Sequence, residues 1–93
     1  MTSEVFSVTF RFPGALVPTA RHVAVVGPFN GWDHTVHPLT KTASGDWVTR
    51  VYLPPGRIIY SFCVDGASCV DPSDDGRIAN KWGAAYSVRQ VKP

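Results

Sequence analysis

Large hydrophobic residues recur at every second position along two stretches of the chain, at residues 6–12 and 57–64. Successive side chains of a β-strand point to opposite faces, so a period of two predicts a strand with one dry face and one wet face. We therefore predict two core strands over these ranges. Their inward positions are Phe6, Val8, Phe10 and Phe12 in the first strand, and Ile58, Tyr60, Phe62 and Val64 in the second.

Three further segments are typical of strands. Residues 23–26 form a continuous apolar run that suits a fully buried strand, residues 47–53 are rich in β-formers, and a last strand covers about residues 86–91. Turn-forming residues separate these segments, at Pro13-Gly14, Pro54-Pro55-Gly56 and Asp71-Pro72-Ser73. Six to eight short strands in a chain of this size predict an all-β fold, an immunoglobulin-like antiparallel β-sandwich, with residues 1–93 as one domain.

Composition and charge narrow the classes of partner. The formal net charge is only +2, and the nine Lys and Arg residues are scattered rather than clustered. This argues against nucleic acid as a partner. No apolar segment is long enough to span a bilayer, and Met1–Glu4 lacks the basic and apolar character of a signal peptide. We therefore expect no membrane partner and a cytoplasmic location.

The two cysteines flank an Asp65-Gly66 turn signal. A two-residue hairpin loop there would pair Cys63 with Ser68 and Cys69 with Phe62. The two thiols would then point to opposite faces of the sheet. We expect no disulfide, and two reduced, largely buried cysteines.

Catalytic chemistry has few candidates. Glu4 is the only glutamate, most aspartates lie in turn contexts, and neither a nucleophile elbow nor a phosphate-binding glycine loop is present. The segment Asp33-His34-Thr35-Val36-His37 offers donors that zinc accepts, but no further ligand lies nearby in the sequence. Residues 71–76 lack the ligand spacing of a calcium loop. We expect no catalytic residue, no cofactor and no metal.

The three tryptophans are more informative. Trp47 begins a predicted strand, which indicates a core indole, whereas Trp32 and Trp82 each lie among turn-forming residues. A loop indole either covers one end of the sandwich or stays exposed and binds a ligand. The C–H face of a glucose ring stacks on an aromatic plane and its hydroxyls need polar partners, so an exposed indole flanked by Asn and Lys has the chemistry of a sugar site.

A series of short motifs resembles a known family. The chain is similar to the glycogen-binding domain of the AMP-activated protein kinase β subunit and to the early-set domains of branching and debranching enzymes, together called carbohydrate-binding module family 48. The resemblance covers about residues 8–91 and implies an early-set type of sandwich. The motifs that carry it are, in order, Gly27-Pro28-Phe29-Asn30-Gly31-Trp32, Gly45-Asp46-Trp47, Leu53-Pro54-Pro55-Gly56, Tyr60-Ser61-Phe62-Cys63-Val64-Asp65-Gly66 and Asp71-Pro72.

The resemblance implies sugar-binding residues, with several departures. The family's first stacking tryptophan matches Trp32, but the second falls at Ser68 or its neighbour, and a sugar-contacting lysine falls at Ser61. A leucine of the late loop corresponds to Trp82, and the threonine and asparagine that follow it correspond to Ala84 and Tyr86. Our hypothesis places Trp82 beside Trp32 as a second platform. The polar rim would then consist of Asn80, Lys81, Ser61 and Tyr86.

Two classes of function follow from the resemblance. The first is a non-catalytic module that binds α-1,4-linked glucan, such as glycogen, starch, maltooligosaccharides or cyclodextrin, and brings an associated glucan-processing enzyme or kinase to the polymer. The second is a module of the same fold that has lost its sugar affinity and serves as a protein-interaction or structural domain of a glycoside hydrolase family 13-like enzyme. The first requires exposed loop indoles, and the second requires buried indoles or a broad apolar patch.

Overall fold

A computed structural model describes residues 4–79 and 83–92, which contain eight strands. No helix in these two ranges has the length and apolar character needed to cross a bilayer. The strands are β1 (Phe6–Phe12), β2 (Val23–Val26), β3 (Thr40–Lys41), β4 (Trp47–Leu53), β5 (Gly56–Val64), β6 (Ala67–Cys69), β7 (Gly76–Ala79) and β8 (Ala85–Val91).

The strands form two antiparallel sheets, which confirms the predicted all-β sandwich. One sheet has the order β1-β4-β3, and the other has the order β2-β5-β8-β7, with β6 also paired to β5. The five strands predicted from periodicity are all present. The pattern did not reveal β3 and β7, because these are edge pairings of two and four residues that lie in exposed or half-buried surroundings.

Inward residues of both sheets meet in a single core, as the period of two predicts. The ring of Phe10 contacts Tyr60 edge-on, with ring centroids 5.0 Å apart, and Phe12 contacts Phe62 at the same centroid distance. Trp47 is buried against this cluster, which confirms its predicted core position. The packing of β1 and β4 against β5 therefore holds the five-stranded sheet in place, with its other face directed outward.

The hairpin between β5 and β6 has the predicted register. Cys63 pairs with Ser68 and Cys69 with Phe62, while Asp65 and Gly66 take the positive φ angles that a two-residue turn requires. Cys63 therefore faces outward and Cys69 packs against the core, and both thiols are free. The prediction of largely buried cysteines is wrong, because both are half-buried: Cys63 lies on the outward face of the sheet, and Cys69 lies at the end of the short edge strand β6.

A buried hydrogen bond joins β5 to the turn that follows β6. The hydroxyl of Tyr60, a fully buried residue, donates to Asp71 Oδ2 at 2.6 Å, and Asp71 Oδ1 accepts the backbone N–H of Ser73 at 2.8 Å. Burial, followed by the hydrogen bond to Asp71, raises the pKa of Tyr60 far above its ordinary value. The sequence motif Asp71-Pro72 is thus a structural anchor.

Tyr60→Phe is expected to lower the free energy of unfolding by about 1–3 kcal/mol, the cost of leaving a buried acceptor without its donor. The raised pKa means that the folded protein stabilises the neutral phenol of Tyr60. The contribution of this phenol to the free energy of unfolding is therefore fully present below the unfolded pKa of about 10 and is lost as pH rises above it. Urea unfolding at neutral pH and at about pH 11 measures both effects. A gap between wild type and variant that stays constant over this range would contradict the assignment.

Candidate functional site

The loop that carries Trp32 leaves β2 and returns along the free edge of the same strand. The backbone N–H of Val25 donates to the carbonyl of His37 at 3.1 Å, and Leu39 donates to Val23 at 2.7 Å. Both ends of the loop are therefore fixed to one buried strand. This is a firm base for a surface site, because its orientation is set by backbone hydrogen bonds to the core sheet.

Asn30 holds the interior of this loop. Its Oδ1 accepts the backbone N–H of Gly27 at 3.1 Å, and its Nδ2 donates to the carbonyl of Val25 at 3.0 Å and lies 3.0 Å from Nδ1 of His37. One side chain thus connects the start of the loop, the strand before it and the segment where the loop returns. Both residues of the pair Asn30 and His37 have structural partners, which limits how far either can serve a ligand.

The backbone at Trp32 is in the left-handed region, with φ of 61°, directly after Gly31 at 66°. A non-glycine residue rarely adopts this conformation, which costs about 1 kcal/mol or more. The Trp32 N–H donates to the carbonyl of Gly27 at 2.9 Å, and this bond closes the turn. This turn directs the indole outward, and Trp32 is 40% exposed.

Gly27 is required by close approach rather than by its φ angle. A Cβ atom at this position would lie 2.8 Å from the carbonyl oxygen of Ile59 and 2.5 Å from the ring of Phe29. The loop therefore starts in direct contact with β5. This contact explains why a glycine opens the motif that ends in Trp32.

Tyr86, on β8, supports the indole from the sheet. The ring centroids of Trp32 and Tyr86 lie 4.9 Å apart with planes inclined by 41°. Tyr86 is half-buried. A rigid sheet residue thus backs a loop residue, and together they form a partly exposed aromatic surface, called here the aromatic pair.

A cleft of about 310 Å³ lies beside the aromatic pair on the outer face of the five-stranded sheet. Ser61 lies on its floor rather than on the predicted rim, because the residue is only 1% exposed. Its hydroxyl lies 2.7 Å from Ser68 Oγ and donates to the carbonyl of Cys69 at 3.0 Å. Ser68, an exposed residue, also lines the cleft. Other residues of this cleft, called here the Trp32 cleft, are His34 and Cys63.

The residues after Trp32 form a small polar turn. Asp33 Oδ1 accepts hydrogen bonds from the hydroxyl and the backbone N–H of Thr35, at 2.6 and 2.8 Å. These bonds lower the pKa of Asp33 below its usual value of 3.8 and keep the carboxylate ionised. His34 reaches the cleft, and its ring contacts the ring of His22 edge-on at 5.8 Å. The imidazole of His34 and the indole of Trp32 therefore line the same cleft.

No metal site is formed within residues 4–79 and 83–92. In these ranges no three His, Cys, Asp or Glu side chains come together in a group that would hold a metal ion. The candidate donors of the loop have other partners, since Asp33 binds Thr35 and His37 lies against Asn30. Asp33 and His37 therefore stabilise the loop through contacts within it.

The structure brings together three of the residues expected at the site, Trp32, Tyr86 and Ser61. The other three, Asn80, Lys81 and Trp82, lie outside the described residues, so the second platform stays a prediction. The structure also places His34 and Ser68 in this cleft, although the sequence analysis included neither in the predicted polar rim. The hairpin register contained the signal for Ser68, since a residue paired with Cys63 lies on the same face as Ser61.

Comparison with known proteins identifies similar chains. A family model described as "Glycogen recognition site of AMP-activated protein kinase" matches residues 6–93. The 1,4-alpha-glucan branching enzyme GlgB of Deinococcus radiodurans is 36% identical over 74 residues, which cover 77% of this chain and 10% of that enzyme. The corresponding enzyme GlgB 2 of Xanthomonas euvesicatoria is 33% identical over 78 residues, covering 82% and 9%. The chain thus spans about a tenth of the length of these relatives.

Proposed function

Because this chain belongs to the family described as the glycogen recognition site of AMP-activated protein kinase, and is therefore a carbohydrate-binding module, we propose that it binds α-1,4-linked glucan at the Trp32 cleft. The observation that carries this proposal is the aromatic pair, an outward indole supported by Tyr86 at 4.9 Å and bordered by a cleft. The relatives are named for their action on 1,4-alpha-glucan, which supports this linkage.

The geometry explains how such a site would hold a sugar. The C–H face of a glucose unit stacks on the exposed side of Trp32, and the hydroxyls at the edge of the ring turn toward the cleft. There the Ser68 hydroxyl and the His34 imidazole supply donors and acceptors, while Ser61 fixes the position of Ser68 from below. This division of roles differs from the predicted rim, in which Ser61 itself binds the sugar.

The proposed role is to bring an associated activity to a polymer. In the branching enzymes the matched region is about a tenth of the chain, so the catalytic work belongs to other parts of those proteins. We assign this chain no catalytic residue. Its proposed partners are glycogen, maltooligosaccharides and cyclodextrin, together with a glucan-processing enzyme or kinase in the cytoplasm.

Tryptophan fluorescence during titration with maltoheptaose and β-cyclodextrin tests the proposal, with cellohexaose as the control for linkage. Stacking on a 40% exposed indole changes its surroundings, so we expect a saturable spectral change with the two α-linked sugars and none with the β-linked one. No change with any of these sugars at millimolar concentration would overturn the proposal. That result would favour the alternative, a protein-interaction or structural domain of a glycoside hydrolase family 13-like enzyme.

A further inference from the structure

A second cleft, of about 600 Å³, lies beside the start of β5. None of the described residues that line it also lines the Trp32 cleft, so the two clefts are separate. Apolar side chains from the Trp32 loop, the end of β4, β5 and β7 form its walls, namely Phe29, Leu53, Ile58, Ile59 and Ile78. We call it the isoleucine cleft, because all three isoleucines of the chain line it.

The isoleucine cleft forms because β5 extends beyond its neighbour β2. Residues 61–64 of β5 pair with β2, whereas residues 56–60 have no strand on that side within the described part of the chain. Pro28 follows there, and a proline has no backbone N–H with which to continue a sheet. Both faces of β5 are accessible at this edge. Ile58 and Ile59 therefore line one cleft, although their side chains point to opposite faces.

The apolar walls of the isoleucine cleft are only partly covered. Phe29, Ile58, Ile59 and Ile78 are half-buried, although phenylalanine and isoleucine are among the residues most often found inside proteins. An apolar ligand that enters the cleft removes this surface from water, which is favourable. Its volume also falls within the range of roughly 300–1,000 Å³ that is typical of small-molecule sites. The cleft thus has the size and the lining of a site for an apolar ligand.

Arg57 gives the isoleucine cleft one charged end. It is the only charged residue among the described residues that line the cleft, and its exposed guanidinium makes no ion pair or hydrogen bond with the residues described. The exposed Lys92 lies at the same end of the sheet, because Val91 before it pairs with Gly56. A guanidinium binds a carboxylate through two parallel N–H···O bonds. This end of the cleft is therefore complementary to an anionic group.

We propose that the isoleucine cleft binds an amphipathic carboxylate, with its aliphatic chain against the three isoleucines and its carboxylate on Arg57. This function goes beyond glucan binding and does not depend on it, because the two clefts have separate linings. The apolar walls supply affinity for the chain. Arg57 makes the site select an anion over a cation of the same chain length, because an ammonium group would be repelled by the guanidinium.

Decanoate and decylammonium, which have the same alkyl chain and opposite charges, test this in an NMR titration of protein that is isotope-labelled at its isoleucine and leucine methyl groups. Every isoleucine signal reports on the cleft, since all three isoleucines line it. We expect decanoate to shift these three signals in a saturable manner. The Kd for decylammonium is expected to be at least about fivefold higher.

Leu16 provides an internal control for unspecific binding of the alkyl chain. The residue is 61% exposed and follows β1 near Trp47, at the other end of β4 from Leu53. Its methyl signals are expected to stay unchanged while the isoleucine signals shift. Equal shifts at Leu16 and at the isoleucines would overturn the proposal, because the ligand would then coat any exposed apolar side chain.

The variant Arg57→Gln tests the charged end of the cleft. It is expected to raise the Kd for decanoate roughly fivefold and to remove the preference over decylammonium. The matched control is Arg50→Gln, which removes an exposed arginine from β4 in the other sheet and should leave the Kd for decanoate within about twofold. Thermal unfolding of each variant without ligand checks the fold.

Three further outcomes would overturn the proposal. The first is the absence of saturable isoleucine shifts at millimolar decanoate, and the second is an equal loss of affinity in Arg57→Gln and Arg50→Gln. The third is a set of isoleucine signals that shift with protein concentration but not with decanoate, which would show that a second copy of the chain covers the cleft. Each of these outcomes leaves glucan binding at the Trp32 cleft unaffected, so the two proposals fail separately.

Discussion

Replacing Trp32 with alanine is expected to remove measurable glucan binding. The indole is the central exposed surface of the aromatic pair, and truncating such a contact costs at least about 2 kcal/mol, or about 30-fold in Kd. Stability should fall by only about 1–2 kcal/mol, since one side of the ring already faces water. Maltoheptaose titration and urea unfolding of the same variant measure both quantities. Full affinity in Trp32→Ala would show that the platform lies elsewhere.

Trp32→Gly is the informative companion variant. Both substitutions lose the indole, but glycine adopts the observed φ of 61° without the penalty that alanine retains. The glycine variant is therefore expected to be about 1 kcal/mol more stable than the alanine variant, with the same loss of binding. That outcome would show that the loop holds a strained residue for the sake of its side chain. Equal stabilities would mean that the turn relaxes around alanine.

Phe62→Ala is expected to have the largest effect on stability, about 3–5 kcal/mol. The residue is fully buried. Its ring centroid lies 5.0 Å from that of Phe12, 6.4 Å from that of Phe10 and 6.0 Å from that of Tyr60. Its loss leaves a cavity between the two sheets. Such a cost is a large part of the roughly 5–15 kcal/mol that holds a domain folded, so the variant unfolds at much lower urea or fails to fold.

Urea unfolding monitored by circular dichroism measures this loss. Tyr52→Ala is the matched control, since it also truncates an aromatic residue to alanine, but at a position that is 64% exposed. We expect the control to stay within about 1 kcal/mol of the wild type. A loss below about 2 kcal/mol in Phe62→Ala would contradict a rigid core at this position, because a cavity of that size would then have collapsed.

The periodic strands were predictable because burial acts on every second residue. Phe6–Phe12 and Gly56–Val64 each present one face to the core, and each alternation is long enough to identify a strand without knowledge of its partner. The hairpin register was predictable for a related reason, since a two-residue turn determines which residues pair. By contrast, β3 and β7 are short and lie at sheet edges, so few of their side chains enter the core and no pattern marks them.

The site was predictable only in part. The turn-forming residues around Trp32 indicate that this indole lies in a loop, and the resemblance supplies a role for it as a sugar platform. Ser61 shows the limit of such reasoning. Its place in the sequence is the same whether its hydroxyl meets a sugar or another side chain, and the structure shows it bound to Ser68 and to the carbonyl of Cys69.

The sequence by itself determined the fold class and the core positions, because these depend on local periodicity and turn geometry, but it left open whether the indole of Trp32 is buried or exposed. Only the tertiary structure decided which side chains meet at that indole. Trp32 and Tyr86 are far apart in the chain. They meet because β5 pairs with both β2 and β8, which brings the loop after β2 close to β8.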